Sequence, residues 1–232
     1  MYFVRLSVAA FLCFYAVLMS TMVFANPFEL TIVDSEGQPL ENAVISWASL
    51  TQHTAPAEVA VMDQRDKAFE PHVLVVQQGT QVSFPNSDNI RHHVYSFSRP
   101  KKFEIKLYSG EPSKPILFDN PGVVVLDCNI HDSMLGYIYV APDSSYAISN
   151  QQGRVQLMLD AEPAAEMLFQ IWHPELNRHN QPESHSFSEI KRNNFTVSLN
   201  LTAKAARNKS SNQTESPLEK RFRELRQRRE QL

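Results

Sequence analysis

Short hydrophobic segments alternate with polar turns along the central part of the chain. The segments are rich in β-branched and aromatic side chains, and several alternate polar with apolar positions. This pattern is typical of β-strands rather than of helices. Turn-forming residues such as Gln78 and Gly79 separate the segments, so the pattern predicts an all-β sandwich. The central strand candidates are residues 74–76, 81–84, 94–97, 103–108, 123–126 and 137–140.

Both flanks of this region also carry strand patterns. The upstream candidates are too short to bury a hydrophobic core alone. In their two turn motifs, residues 34–37 and 149–153, and in their strand order, the flanks resemble small carboxypeptidase-regulatory-like sandwiches. This resemblance implies that residues 27–50 and 144–202 form a small accessory β-sandwich, with a domain of residues 51–143 inserted between them. The alternative is that residues 27–50 add strands to the inserted domain. The flanking candidates are residues 28–33, 43–47, 154–159, 167–172 and 195–201.

The first 25 residues have the pattern of a secretory signal. Arg5 precedes an apolar run over residues 6–19, and small residues stand at Val23 and Ala25. The run approaches the length of a membrane span, but its cleavage-like end favours a signal peptide over residues 1–25. The expected mature protein is periplasmic, without stable membrane insertion.

The last 30 residues form a separate, basic segment. From Lys204 onward, nine Lys and Arg residues outnumber four Asp and Glu residues. Residues 203–232 are predicted to be a polar linker followed by a charged helical tail, with Leu218, Phe222 and Leu225 on one stripe.

Charge and cysteine content exclude several classes of protein. The net charge of the 232 residues is −3, which gives no electrostatic footprint for nucleic acid. Two cysteines cannot build a disulfide framework. Because Cys13 lies in the signal segment, the mature chain keeps only Cys128. A lone thiol in an oxidising compartment is a hazard unless a ligand binds it, so the sequence suggests that Cys128 is bound.

Residues 128–134 place three candidate metal ligands in one short segment between two predicted strands. Cys128, His131 and Met134 follow a Cys-x2-His-x2-Met spacing, and His92 and His93 offer a further imidazole upstream. Two histidines, a cysteine and a weakly bound methionine are the ligands of a blue-copper site. Zinc suits the set less well, because methionine is not one of its usual ligands. A cysteine nucleophile with a histidine base would leave the methionine unexplained.

These residues carry a resemblance to the cupredoxins over about residues 55–143. The Cys-x2-His-x2-Met loop is similar to that of amicyanin in ligand spacing, and His92-His93-Val94 stands where those families have His-Asn-Val. The resemblance implies His92 as the upstream ligand, with His93 as the alternative. The strings MDQRDKAFEPHVLVV, FPNSDNIRHHVYSFS, LDCNIHDSMLGYIYV and WHPEL also resemble periplasmic cupredoxins called methylamine utilization proteins.

The cupredoxin resemblance implies a Greek-key β-sandwich that binds one type 1 copper ion. The implied ligands are His92, Cys128, His131 and Met134. Such a protein is a one-electron carrier between transient redox partners, such as a cytochrome or a dehydrogenase, and is not an enzyme. The competing hypothesis is a copper-sensing or copper-storage module whose accessory domain contacts another protein.

Other residues near the predicted loop keep two interpretations open. Ile130 and Leu135 are either an apolar rim for docking or simply packed against the sandwich. Asp127 and Asp132 either hydrogen-bond near the ligands or are solvated. The remaining histidines are expected at the surface or at strand ends, namely His53, His72, His173, His179 and His185.

Overall fold

The computed structural model describes residues 27–48, 58–112, 114–131, 133–142, 144–159, 161–176 and 181–201. The predicted signal peptide and C-terminal tail lie outside these ranges. No helix among the described residues is both long and apolar enough to cross a membrane. The strands are β1 (Pro27–Asp34), β2 (Val44–Ala48), β3 (Ala60–Val61), β4 (Asp63–Arg65), β5 (Ala68–Glu70), β6 (Val73–Gln77), β7 (Thr80–Ser83), β8 (His92–Ser96), β9 (Phe103–Tyr108), β10 (Ile116–Phe118), β11 (Gly122–Asp127), β12 (Leu135–Ala141), β13 (Ser144–Ile148), β14 (Arg154–Met158), β15 (Leu168–Trp172), β16 (Glu183–Ser186) and β17 (Thr196–Leu199), and the helix found within these described ranges is α1 (Phe187–Arg192).

Two sheets of the central region pack face to face. One has five strands in the order β6-β12-β11-β8-β9, and the other has three in the order β10-β7-β3. Strands β6 and β12 are parallel, whereas β12, β11, β8 and β9 follow one another antiparallel. Phe84 and Phe118 pack with Val94, Leu126 and Ile138 in the core between the sheets. This arrangement confirms the predicted all-β sandwich class.

A second group of strands combines the two flanks of the sequence. Strand β1 pairs antiparallel with β14 and parallel with β17. Strand β2 pairs antiparallel with β13 and β15, and β15 also pairs with β16. Within the described residues, the ladders of β1 and β2 are thus made with strands that follow residue 143. The domain boundaries themselves stay a prediction.

The five-stranded sheet has a hydrophobic core on both of its faces. Ile138 of β12 lies in the core shared with the three-stranded sheet. Tyr137 and Tyr139 point to the other face, where their rings lie 5.3 and 6.0 Å from the ring of Trp172 on β15. The Tyr139 hydroxyl also hydrogen-bonds the Ser46 hydroxyl of β2 at 2.9 Å. The two groups of strands therefore share one core.

Candidate metal centre

Two neighbouring strands bring the predicted ligands to one end of the sandwich. Strand β11 ends at Asp127, so Cys128 begins the loop that leads to β12. Strand β8 begins at His92, and its partner in the sheet is β11, with Asp127 opposite Tyr95. Residues from the start of β8 and from the end of β11 lie at the same edge because the two strands are antiparallel.

The side chains of His92, Cys128 and His131 converge. The Cys128 Sγ lies 4.0 Å from Nδ1 of His92 and 3.8 Å from Nδ1 of His131. The three ligand atoms all lie within 4.8 Å of one another. Each histidine thus turns the same ring nitrogen, Nδ1, toward the thiol.

The four predicted site residues differ in their access to solvent. His92 is fully buried, and the exposed fractions of Cys128 and Met134 are 5% and 1%. Met134 belongs to the same apolar cluster as Cys128, and its backbone N–H donates to the His131 carbonyl at 2.9 Å. His131 is the partly exposed member of the set, so it forms the solvent-facing edge of the site.

His93 points away from this cluster. Its Nε2 lies 2.9 Å from Glu104 Oε1 on strand β9, and its ring lies 5.3 Å from that of Tyr95 on the same face of β8. Successive side chains of a strand point to opposite faces, which explains why only one of the two neighbouring histidines can face Cys128. The geometry therefore favours His92.

Asp88 is a site residue that the sequence analysis missed. Its Oδ2 lies 2.6 Å from His92 Nε2, and it accepts hydrogen bonds from the backbone N–H groups of Asp66 and Lys67 at 2.7 and 3.0 Å. Desolvation acts to raise the pKa of Asp88, but these hydrogen bonds together hold it below its usual value. An ionised carboxylate only accepts hydrogen bonds, so His92 carries its proton on Nε2 and leaves Nδ1 free to bind a metal. The available signal was an acid four residues before His92, in a segment interpreted only as a turn.

A partly buried tyrosine, Tyr108, also lies near Cys128. The Tyr108 hydroxyl donates to the Phe84 carbonyl at 2.5 Å and accepts from the Gln64 side chain. Burial is the main cause that raises the pKa of Tyr108 to about 12; the hydrogen bond from Gln64 opposes the rise, and the nearby Asp63 and Cys128 add to it. Tyr108 therefore stays neutral at physiological pH.

The remaining candidates occupy varied positions. Asp127 is partly buried and its pKa is raised by desolvation, whereas Asp132, His53 and His179 lie outside the described residues. Ile130 and Leu135 are 47% and 36% exposed. His72 and His173 lie next to the ends of β6 and β15, away from the cluster, and His185 lies within β16.

The donor set fits a soft or borderline metal ion. Thiolate and imidazole ligands lie about 2.3 and 2.1 Å from a metal such as zinc, so a sulfur and a nitrogen that bind one ion are separated by at most about 4.4 Å. The Cys128 Sγ to histidine Nδ1 separations of 3.8 and 4.0 Å satisfy this limit. Thiolate, imidazole and thioether together suit copper better than zinc. The residues present therefore fit a copper ion.

No family model and no curated protein matches the sequence. Among solved structures, a copper-containing nitrite reductase from Thermus scotoductus SA-01 is 25% identical with a TM-score of 0.34, covering 40% of this chain and 25% of that chain. This chain thus spans about a quarter of the length of that reductase. A reduced Cu(I) form of an amicyanin variant is 20% identical with a TM-score of 0.33, covering 43% of this chain and 99% of that one. A purple cupredoxin from Nitrosopumilus maritimus is 19% identical with a TM-score of 0.31, covering 36% and 98% of the two chains. No residue role follows from these likenesses, and membership of the methylamine utilization proteins stays a prediction.

Proposed function

We propose that the protein is a type 1 copper protein that carries one electron at a time between redox partners. The observation that supports this most directly is the approach of two histidine Nδ1 atoms to one cysteine sulfur, at 3.8 and 4.0 Å. Met134, buried in the same apolar core as Cys128, would be the weak fourth ligand. A copper ion bound by these residues would supply a one-electron Cu(II)/Cu(I) couple.

The surroundings of the four residues suit electron transfer without substrate chemistry. The buried side chains of His92, Cys128 and Met134 would hold a copper ion in similar positions in both oxidation states, which would limit rearrangement on electron transfer. His131, the partly exposed ligand, would be the point at which electrons enter and leave. Ile130 and Leu135, exposed on either side of it within the same stretch of chain, would rim a small and transient docking surface.

The cellular setting is part of the proposal. The signal-like residues 1–25 and the resemblance to methylamine utilization proteins favour a periplasmic carrier, with a cytochrome or a dehydrogenase as partner. A near-neutral net charge of −3 gives no reason to expect nucleic acid as a partner.

A redox titration combined with electron-exchange kinetics tests the carrier function. We expect the copper-loaded protein to cycle reversibly between its two oxidation states and to exchange electrons rapidly with a small c-type cytochrome. Copper bound without reversible cycling, or exchange that is very slow, would contradict the carrier function and favour a storage or sensing module. The Cys128→Ala variant, treated with copper in the same way, is the control for adventitious copper.

A further inference from the structure

The imidazole ring of His92 is held in place at both of its nitrogen atoms. The ring is fully buried, with Nε2 on the Asp88 carboxylate at 2.6 Å and Nδ1 toward Cys128 at 4.0 Å. Nε2 is therefore paired with an anion, and Nδ1 faces the position proposed for the metal. Rotation of the ring would break the first contact and move the second.

The Asp88 carboxylate is itself held by a hairpin that is distant in sequence. Strands β4 and β5 are joined by Asp66 and Lys67, whose φ angles are 51° and 59°. Two-residue turns of this kind favour Asn or Gly, because both residues adopt the left-handed conformation. Here the turn directs both of its N–H groups at Asp88.

Asn86 makes a second set of contacts that fix the loop carrying Asp88. The Asp88 N–H donates to Asn86 Oδ1 at 3.1 Å, and the Asn86 amide donates to the carbonyls of Ile90 and Tyr108, both at 2.9 Å. Asn86 is only 4% exposed. The carboxylate thus has a defined position before any metal binds.

From these contacts we infer that Asp88 is a positioning residue that sets the copper affinity and reduction potential through His92. The inference rests on the copper site proposed above. A carboxylate that accepts the far N–H of a ligating imidazole fixes its tautomer and makes the metal-binding nitrogen more basic. A more basic nitrogen favours Cu(II) over Cu(I), because the more highly charged ion gains more from it. Asp88 therefore lowers the reduction potential.

The chain offers a matched control in Asp63. Its carboxylate also fastens the 85–91 loop, since it accepts from Ser87 N–H at 3.2 Å and from the Ser87 hydroxyl at 2.8 Å. The exposed fractions of the Asp63 and Asp88 side chains are similar, at 15% and 12%. Asp63→Asn removes the same charge from a β4 side chain that fastens this loop, while leaving the contact between Asp88 and His92 in place.

The test compares wild type, Asp88→Asn and Asp63→Asn in three measurements: Cu(II) affinity by chelator competition, reduction potential by mediated titration, and the His92 Nε2 proton by NMR of the Cu(I) form. We expect Asp88→Asn to weaken Cu(II) binding about 10- to 100-fold relative to Asp63→Asn. Each tenfold loss of Cu(II) affinity relative to Cu(I) raises the potential by about 59 mV. The Nε2 proton should be protected from exchange in wild type and in Asp63→Asn, but exchange faster in Asp88→Asn.

The outcomes separate this inference from the proposed function. Equal affinities and potentials in the two variants, with the blue-copper band intact, would overturn the role of Asp88 and leave the copper site standing. Failure of the wild-type protein to bind copper would overturn both. Thermal unfolding of the metal-free variants completes the control. Similar midpoint temperatures in the two variants would show that the shift in potential does not result from a general loss of stability.

Discussion

At the scale of single residues, His92 and His93 are neighbours in sequence with opposite surroundings. The His92 Nδ1 faces Cys128, whereas the His93 Nε2 pairs with Glu104 on the other face of β8. The first predicted contrast is between His92→Ala and His93→Ala. Loss of a hydrogen-bond partner of a ligand costs 10- to 100-fold in metal affinity, so loss of the ligand itself should cost more than about 100-fold.

Copper titration of the two alanine variants measures this contrast. His93→Ala should retain the wild-type affinity within a few-fold, since it removes a neighbouring imidazole without touching the cluster. A greater loss in His93→Ala than in His92→Ala would show that His93 is the ligand and would contradict the assignment.

The site residues also differ in how far sequence could identify them. Cys128, His131 and Met134 could be grouped because their spacing within one short loop is visible in the chain. His92 required knowledge of which face of β8 points inward, so His93 remained an alternative. Asp88 could not be identified, because its position depends on a hairpin about twenty residues upstream that folds against it.

At the scale of elements, the end of β15 is fixed by a neutral histidine. His173 donates from Nε2 to the Glu41 carbonyl at 3.0 Å and accepts at Nδ1 from the Glu175 N–H at 3.1 Å. Burial is the main cause that lowers the pKa of His173 below its usual value of 6.5. Protonation would also place a hydrogen on Nδ1 where it meets the Glu175 N–H, so one bond would be lost.

This arrangement predicts a loss of stability in mild acid. Below a pH of about 6.5 the unfolded chain gains a proton on this histidine while the folded protein does not, so the free energy of unfolding falls as the pH falls. We expect urea unfolding of the metal-free protein to show this slope between about pH 7 and pH 5. The His173→Gln variant should be less stable at neutral pH but show a shallower slope. An unchanged slope in the variant would contradict this role for His173.

The elements that sequence predicted share a clear hydrophobic signal. Strands β6, β9, β11 and β12 are long enough to show alternation or a continuous apolar run, and the predicted segments overlap them. The hairpin β4–β5 and strand β16 were not predicted. Their sequences, DQR, AFE and ESHS, are too short and too polar for a period of two to appear. Their pairing depends on neighbouring strands rather than on their own composition.

At the scale of the whole molecule, the accessory strands cover a face of the five-stranded sheet. Val73, Val75 and Tyr137 share a buried cluster with Trp172 and Phe169 of β15. From the sequence alone, the flanking strands have a suggested role only in the competing hypothesis, as a contact for another protein. The shared core gives them a structural role, because without them this apolar face of the sheet would meet water.

Trp172→Ala tests this shared core. The indole is fully buried between the two groups of strands, and removal of a large aromatic side chain from a core costs about 3–5 kcal/mol. We expect the copper absorption and the far-UV circular dichroism to be lost at the same, lowered temperature. Phe97→Ala is the control, because that ring is 80% exposed and its loss should change stability by less than about 0.5 kcal/mol. Copper absorption that persists after the remaining structure has melted would show two independent cores.

The visible spectrum of the purified protein loaded with Cu(II) tests the central claim most directly. We predict one copper ion per chain and an intense thiolate-to-copper absorption band, because the Cys128 sulfur lies about 4 Å from both imidazole nitrogens. The band should be absent from Cys128→Ala under the same loading conditions. A colourless copper complex, or a site that takes up zinc in preference to copper, would contradict the account.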